Sequence, residues 1–403
     1  MIVGSICAAL GVAAAPSGAA RYVLVDDGWG YDCYGSYEHG AGMVVPLSGG
    51  RPVVRGLAAD LVRAIEFVDR GRAVVWSDAS GLRLADLRTG RTVLLGKLVR
   101  NGHGFFSIDR RGRTVLLAYA GGRGPNVVLV KRRGDHMTSR AIRDADGGRA
   151  ELSPDGRYFA YSDRTGIAVR AVAGGPARQI GSAVSWWAFA GARIAYLDSG
   201  ALHVRDVRTG ASLLDLPVPP DTDITQASWS PDGGYVAVGA GAVADVRARA
   251  LRSLPAFAAE AVAWRPGGGH QLLRMAFEDS ELVDASTGGE LWRRNGISYL
   301  AWSPDGRWLL NRDGPPNLLS HDGAVVPAAA VQLPVDWLGA NMLATIGPTA
   351  LRVAGPPRWR PRVLTRGARG HHLAGSAVFS ASPDGLRLLR RTFKARAHAR
   401  DCR

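Results

Sequence analysis

The local signatures of catalysis are missing from this chain. It has no Gly-x-Ser-x-Gly elbow, so no hydrolase triad can be placed. It has no Gly-x-x-x-x-Gly-Lys phosphate loop and no His-Glu-x-x-His zinc helix. His371 and His372 are adjacent, and on a strand neighbouring side chains face opposite ways, which suits chelation poorly. No metal and no cofactor is therefore implied. No proline- or serine-rich linker and no acidic run divides the 403 residues, and no long amphipathic helix interrupts them. Cysteine is scarce at three, and Cys7 falls inside an apolar N-terminal run, which leaves Cys33 and Cys402 at opposite ends of the chain.

What is present is a repeat. Ala301-Trp302-Ser303-Pro304-Asp305-Gly306-Arg307-Trp308-Leu309-Leu310 reads as strand, tight turn, strand. Serine can bond back to the local backbone, and proline arrives with its φ already set. Asp tolerates the third position, and glycine takes the fourth, where φ is often positive. The same turn occurs at Ser153-Pro154-Asp155-Gly156, Ser230-Pro231-Asp232-Gly233 and Ser382-Pro383-Asp384-Gly385. The intervals of 77, 73 and 79 residues are each about twice the ~40–45 residues of a propeller blade. Weaker copies fill the gaps at Trp187–Tyr196, Trp264–Gly268 and Val335–Leu343, with two more upstream at Phe67–Arg72 and Ser107–Arg113. A third strand ending in a glycine turn follows in phase at Leu82–Gly90, Leu202–Gly210 and Leu282–Gly288.

The unit is thus four antiparallel strands, and the expected fold is all-β: a single propeller of about eight blades. Eight complete units run from Phe67 to Leu364. The hairpin Ala377–Leu389 lacks its outer strands, whereas Met43–Leu47 and Pro52–Arg55 look like outer strands with no hairpin before them. Together they would form a composite blade that closes the ring and makes nine. The unit around Trp337 is the weakest in the count, so eight is favoured and nine stays open. Trp229, Trp264 and Trp302 precede turns at matched positions, which points to packing between blades. The aspartates of the Ser-Pro-Asp-Gly turns are explained by the turn itself, without a calcium ion.

Residues 1–20 read as an export signal. Ile2 to Ala15 is apolar, and Pro16-Ser17-Gly18-Ala19-Ala20 resembles a small-residue cleavage site, although the positive leading region is absent. The organisation expected is a signal over 1–20, a propeller over 21–395 and a basic tail over 396–403. Export would place Cys33 and Cys402 in an oxidising compartment, flanking the two strand sets that must meet, so a disulfide between them is expected. The alternative is two unrelated cysteines on mobile ends.

The formal charge is +15 and almost all of the basic residues are arginine. Clusters occur at Lys131-Arg132-Arg133, from Arg358 to Arg369, and from Arg387 to Arg403. One reading is scattered solvated charge set by genome composition. The other is attraction to an anionic envelope polymer or membrane surface, with nucleic acid the poorest partner outside the cell. One segment stands outside the repeat. Asp26 to Gly40 is long and rich in tyrosine and glycine, and it offers Trp29, Tyr31, Tyr34, Tyr37 and His39 as binding candidates. Its bland reading is an excursion between strands, pinned by Cys33.

The strings Trp229-Ser230-Pro231-Asp232-Gly233 and Trp302-Ser303-Pro304-Asp305-Gly306 resemble the repeats of TolB-type propellers, and Asp86 and Asp206 open Asp-x-x-Thr-Gly endings similar to WD-repeat blades. The resemblance implies an exported scaffold that binds proteins or peptides. It carries over no functional residue, and the α/β domain of TolB and the hydrolase domain of the prolyl oligopeptidases are absent from this sequence. Two function classes remain. The favoured one is a non-catalytic exported propeller binding a protein or peptide of the envelope, or an anionic polymer. The alternative is a propeller enzyme of lyase or glycosidase type, with its site in the central channel.

Overall fold

The computed structural model describes the strands between Tyr22 and Arg366 and most of the turns that join them. Residues 1–21, 32–36 and 367–403 lie outside the described residues. So do the expectations placed there: the export segment, Cys33, Tyr34, the Ser382 turn, the basic tail and Cys402.

Among the described residues every regular element is a strand. The strands form nine antiparallel sheets in chain order, plus a separate two-stranded ribbon. Sheet 1 has three strands, Tyr22–Asp26, Ala41–Pro46 and Val54–Ala58. Sheets 2 to 9 have four each and span 65–96, 103–142, 150–181, 184–217, 227–253, 261–295, 300–326 and 335–366. In sheets 2 to 9 the strands pair in the order in which they occur, so every connection within a sheet is a hairpin. The sheet around Trp337, weakest in the sequence, is complete.

The N-terminal part differs from its sequence reading in two ways. The strands after residue 41 do have a partner before them, because Tyr22–Asp26 pairs with Ala41–Pro46. Tyr22-Val23-Leu24-Val25 is a short continuous apolar run that stands just after Pro16 to Arg21 in the sequence. The segment between is not a plain loop either. Trp29–Tyr31 pairs with Tyr37–His39 to make the ribbon.

Burial is graded across sheets 4, 6 and 7. In sheet 6 the second strand, Tyr235–Val238, is buried throughout, and so is most of the third, Ala242–Asp245. The fourth, Ala250–Ser253, is largely exposed. Middle strands covered on both faces need continuous apolar runs, which is how they read. Among the described residues seven hydrophobic clusters lie between the sheets, each shared by two consecutive sheets. Val75 and Leu84 of sheet 2 pack with Leu117 and Val130 of sheet 3. Leu310 and Leu318 of sheet 8 pack with Trp337 and Trp359 of sheet 9. This nearest-neighbour stacking of sheets is what a propeller-like fold requires.

Because strands alternate in direction, the first–second and third–fourth turns of every sheet come to one end. That end is the turn face. The third–fourth turns are held by aspartates. Thr89 N, Thr209 N and Thr287 N donate to Oδ1 of Asp86, Asp206 and Asp284 at 2.8, 3.1 and 3.3 Å. The glycine that follows adopts a positive φ of 70°, 79° or 77° at Gly90, Gly210 and Gly288. Sheet 6 breaks the rule. Asp245 accepts from Ala248 N, but Arg249 occupies the glycine position with a φ of 55°. A side chain in this conformation costs about 1–2 kcal/mol, part of which glycine returns as unfolded-chain entropy. Arg249→Gly is therefore expected to stabilise the protein by about 0.5–1 kcal/mol, read as a rise in Tm. An unchanged or lower Tm would count against it.

Candidate functional site at the turn face

The Ser-Pro-Asp-Gly turns are closed networks. Gly156 N, Gly233 N and Gly306 N donate to the carbonyls of Ser153, Ser230 and Ser303 at 2.8, 2.8 and 2.9 Å. Each serine hydroxyl donates to Oδ1 of the turn aspartate, at 2.7, 2.6 and 2.6 Å for Asp155, Asp232 and Asp305. The same hydroxyl accepts the N–H that opens the next strand, from Tyr158, Tyr235 or Trp308. The three glycines have φ of 68°, 68° and 69°.

These glycines also stand where the preceding sheet comes closest. A Cβ on Gly156 would lie 2.8 Å from Asp109, and one on Gly233 would lie 2.5 Å from the Arg193 guanidinium. One on Gly306 would lie 2.1 Å from the carbonyl oxygen of Pro266. The turns of neighbouring sheets are thus docked on one another, and Arg265 Nε donates to Gly306 O at 2.8 Å across the last of these joints.

Beneath the turns runs a relay of indoles. Trp229, Trp264, Trp302 and Trp337 each donate from Nε1 to a first-strand carbonyl of the preceding sheet, at Ala188, Ser228, Ala263 and Ala301. The distances are 3.0, 3.1, 3.4 and 2.8 Å. Fourth-strand arginines bind the turn of the next sheet in the same way. Arg178 Nη1 donates to Arg208 O at 3.1 Å, Arg252 Nη1 to Ala285 O at 2.7 Å, and Arg294 Nη2 to Gly323 O at 2.8 Å. Part of the arginine excess is therefore structural, a role that composition alone does not disclose.

On this platform the turns of sheets 3 to 6 enclose an open concavity of about 540 Å³. Asp109, Asp155, Arg157, Arg193, Trp229 and Asp232 line it. Asp109 is buried and accepts from Arg113 N at 2.7 Å and Thr114 N at 3.2 Å. The Arg157 side chain is 80% exposed. Arg193 lies over the Trp229 ring at 5.4 Å. Burial opposes ionisation of Asp232, but the Ser230 hydroxyl, the Gly234 N–H and nearby His270 outweigh it, and its pKa falls below the usual carboxylate value. His270 stands 3.5 Å from Asp232 and edge-on to Tyr235 at 4.5 Å. Asp232 is thus a fixed, ionised acceptor.

A carboxyl of the opposite character sits on the first strand of sheet 4. Burial pushes Glu151 up, against the pull of Arg149. Arg149 reaches Glu151 at 3.1 Å, donates to Trp187 O at 2.7 Å and lies over that indole at 4.5 Å. Among the described residues no three His, Cys, Asp or Glu side chains gather as a metal site.

Of the sequence candidates, Trp29, Tyr31, Tyr37 and His39 fall on the ribbon, and their register pairs Trp29 with His39 and Tyr31 with Tyr37. The concavity was not read from the sequence, although its turns were. The missing clue was that neighbouring turns dock, which the spacing of the repeats does not show.

No protein-family profile matches the chain, and no curated protein sequence matches it. Solved structures do resemble it. A eukaryotic initiation factor aligns over 94% of this chain and 100% of its own, at 12% identity and a TM-score of 0.61. Dihydro-heme d1 dehydrogenase NirN, in complex with DHE, aligns over 81% of this chain and 75% of its own, at 16% identity and a TM-score of 0.51. At such identities the likeness is one of fold, and together with the consecutive four-stranded sheets it makes this an all-β chain with a propeller-like fold.

Proposed function

We propose that the protein is an exported, non-catalytic scaffold that binds a protein or peptide of the cell envelope through its turn face. The observation that carries this reading is the concavity of about 540 Å³ built from the turns of four consecutive sheets. Its walls are pre-organised by turn hydrogen bonds, so little ordering is needed on binding. The TolB-like form of the repeats and the apolar residues 2–15 support the exported address. In that compartment Cys33 and Cys402 would join as a disulfide and hold the two ends of the chain together.

A photo-crosslinking residue at Pro231, inside the concavity, tests the reading against one at Ala256 on the opposite face. The expected result is a protein adduct in the envelope fraction from position 231 only. The carrier chain is expected to start near residue 21 and to have no free thiol. Adducts from both positions, or from neither, would overturn the turn-face reading. A chain that keeps residues 1–20 and two free thiols would overturn export. The enzyme alternative has Glu151 on its side, a first-strand carboxyl with a raised pKa. It would require activity lost in Glu151→Gln.

A further inference from the structure

We infer that the partner of the turn face is an acidic protein segment, read by arginines that outnumber the carboxylates in the connections of that face. The inference rests on the reading above and gives the partner its chemistry.

The first argument is distribution. In sheets 2 to 9 the described connections on the turn face carry ten arginines and five aspartates. The described connections on the opposite face carry three arginines and four carboxylates. The described turn-face connections are also about twice as long in total, so the contrast lies in the balance of sign: arginines outnumber aspartates two to one there and are outnumbered by carboxylates at the other end.

The second argument is what the aspartates do. All five accept their own turn's N–H through Oδ1: Asp109 from Arg113, Asp155 from Arg157, Asp232 from Gly234, Asp305 from Arg307 and Asp322 from Ala324. Turn architecture explains the acids. It does not explain Arg113 and Arg307, whose side chains stand exposed directly after their turns, and Arg157, 80% exposed, meets its own turn only in a long 3.8 Å approach of Nε to Asp155. A guanidinium presents a planar fork that matches a carboxylate bidentately.

The third argument selects a protein segment over other polyanions. Phe189, Ala190 and Trp229 give the concavity an apolar wall, and Asp109, Asp155 and Asp232 stand beside it. A polyphosphate has no apolar group for that wall, and its dense charge would meet three carboxylates. A peptide brings both: side chains for the wall and backbone N–H donors for the carboxylates, with its own acids reaching the arginines. A membrane surface fits poorly too. The exposed large apolar side chains among the described residues, Leu291 and Val325, lie on fourth strands and not on the turn tips.

The test measures fluorescence anisotropy of a labelled peptide alternating glutamate and leucine, with the full-length protein. Binding is expected to weaken about tenfold or more between ~50 and ~300 mM NaCl. The double variant Arg113→Glu with Arg157→Glu should weaken it by a similar factor. Arg164→Glu, on the opposite face, should leave it unchanged, and unaltered melting curves would show that all variants fold. Tighter binding of polyphosphate or of phosphatidylglycerol vesicles than of the peptide would overturn the choice of partner. No binding at low salt, or binding indifferent to the double variant, would overturn the inference. If position 231 still cross-links a protein in that case, the turn face remains a binding face and only its preference for acids is lost.

Discussion

Arg274→Leu is expected to lower stability by about 3–5 kcal/mol, because it strands a carboxylate in the interior. Arg274 is fully buried on the second strand of sheet 7, and the side chain of Glu281, on the third strand, is 3% exposed. Arg274 Nε donates to Glu281 at 2.9 Å, and Nη2 makes a second bond to the same oxygen. Nη1 reaches across to sheet 6, to Ala240 O at 2.9 Å and, just past its last strand, to Pro255 O at 2.8 Å. The Phe257 ring meets two guanidinium groups, those of Arg274 and Arg293, each 5.1 Å from its centre. The side chain is therefore a bolt between two sheets and, among the described residues, the one cation within ion-pair distance of Glu281. Replacing both members of a buried pair by apolar residues removes the stranded charge. The double variant Arg274→Leu with Glu281→Leu should accordingly be more stable than Arg274→Leu alone. It should stay below wild type, since Ala240 O and Pro255 O lose their donor. Urea unfolding of the four proteins gives the coupling energy directly. A single variant within about 1 kcal/mol of wild type would mean that water reaches this pair.

This pair also shows where the sequence stops being legible. Leu272-Leu273-Arg274-Met275 and Glu281-Leu282-Val283 each place one charge in an apolar strand, and in the sequence each reads as a solvent-facing position. Their burial follows from the neighbouring sheet, which covers what a lone hairpin would leave open. The repeat itself was readable for the opposite reason. Ser153, Asp155 and Gly156 are chosen by bonds within five residues, so the pattern survives in sequence wherever the turn does. The tryptophan positions were readable too, because the relay from Trp229 to Trp337 repeats one contact from sheet to sheet. Strand Tyr22–Asp26 was missed because it stands directly after residues 1–20, which read as one export segment in the sequence. The concavity was missed because it exists only between repeats: Asp109, Arg157, Arg193 and Trp229 come from four sheets. Local chemistry fixes the unit, whereas the site depends on how units lean on each other.

That leaning can be measured at three glycines. Gly268 has no positive φ, and a Cβ there meets nothing within 4 Å. Gly191 has a φ of 61° and equally open space. Gly306 has a φ of 69°, and its Cβ would lie 2.1 Å from a backbone oxygen, that of Pro266. The three therefore separate conformational strain from close approach. Gly268→Ala is expected to change stability by no more than about 0.5 kcal/mol. Gly191→Ala isolates the left-handed conformation and should cost about 1 kcal/mol. Gly306→Ala carries that strain plus an overlap that no side-chain rotation can relieve, because the obstructing atom belongs to the main chain. The turns of sheets 7 and 8 must then move apart, which weakens the Arg265–Gly306 bond of 2.8 Å and loosens Trp302 beneath it. A total cost of about 3 kcal/mol or more is expected. Thermal melts of the three alanine variants, measured side by side, decide the matter. If Gly306→Ala melts with Gly191→Ala, the docking of neighbouring turns has no energetic weight, and the rigidity ascribed to the turn face falls with it.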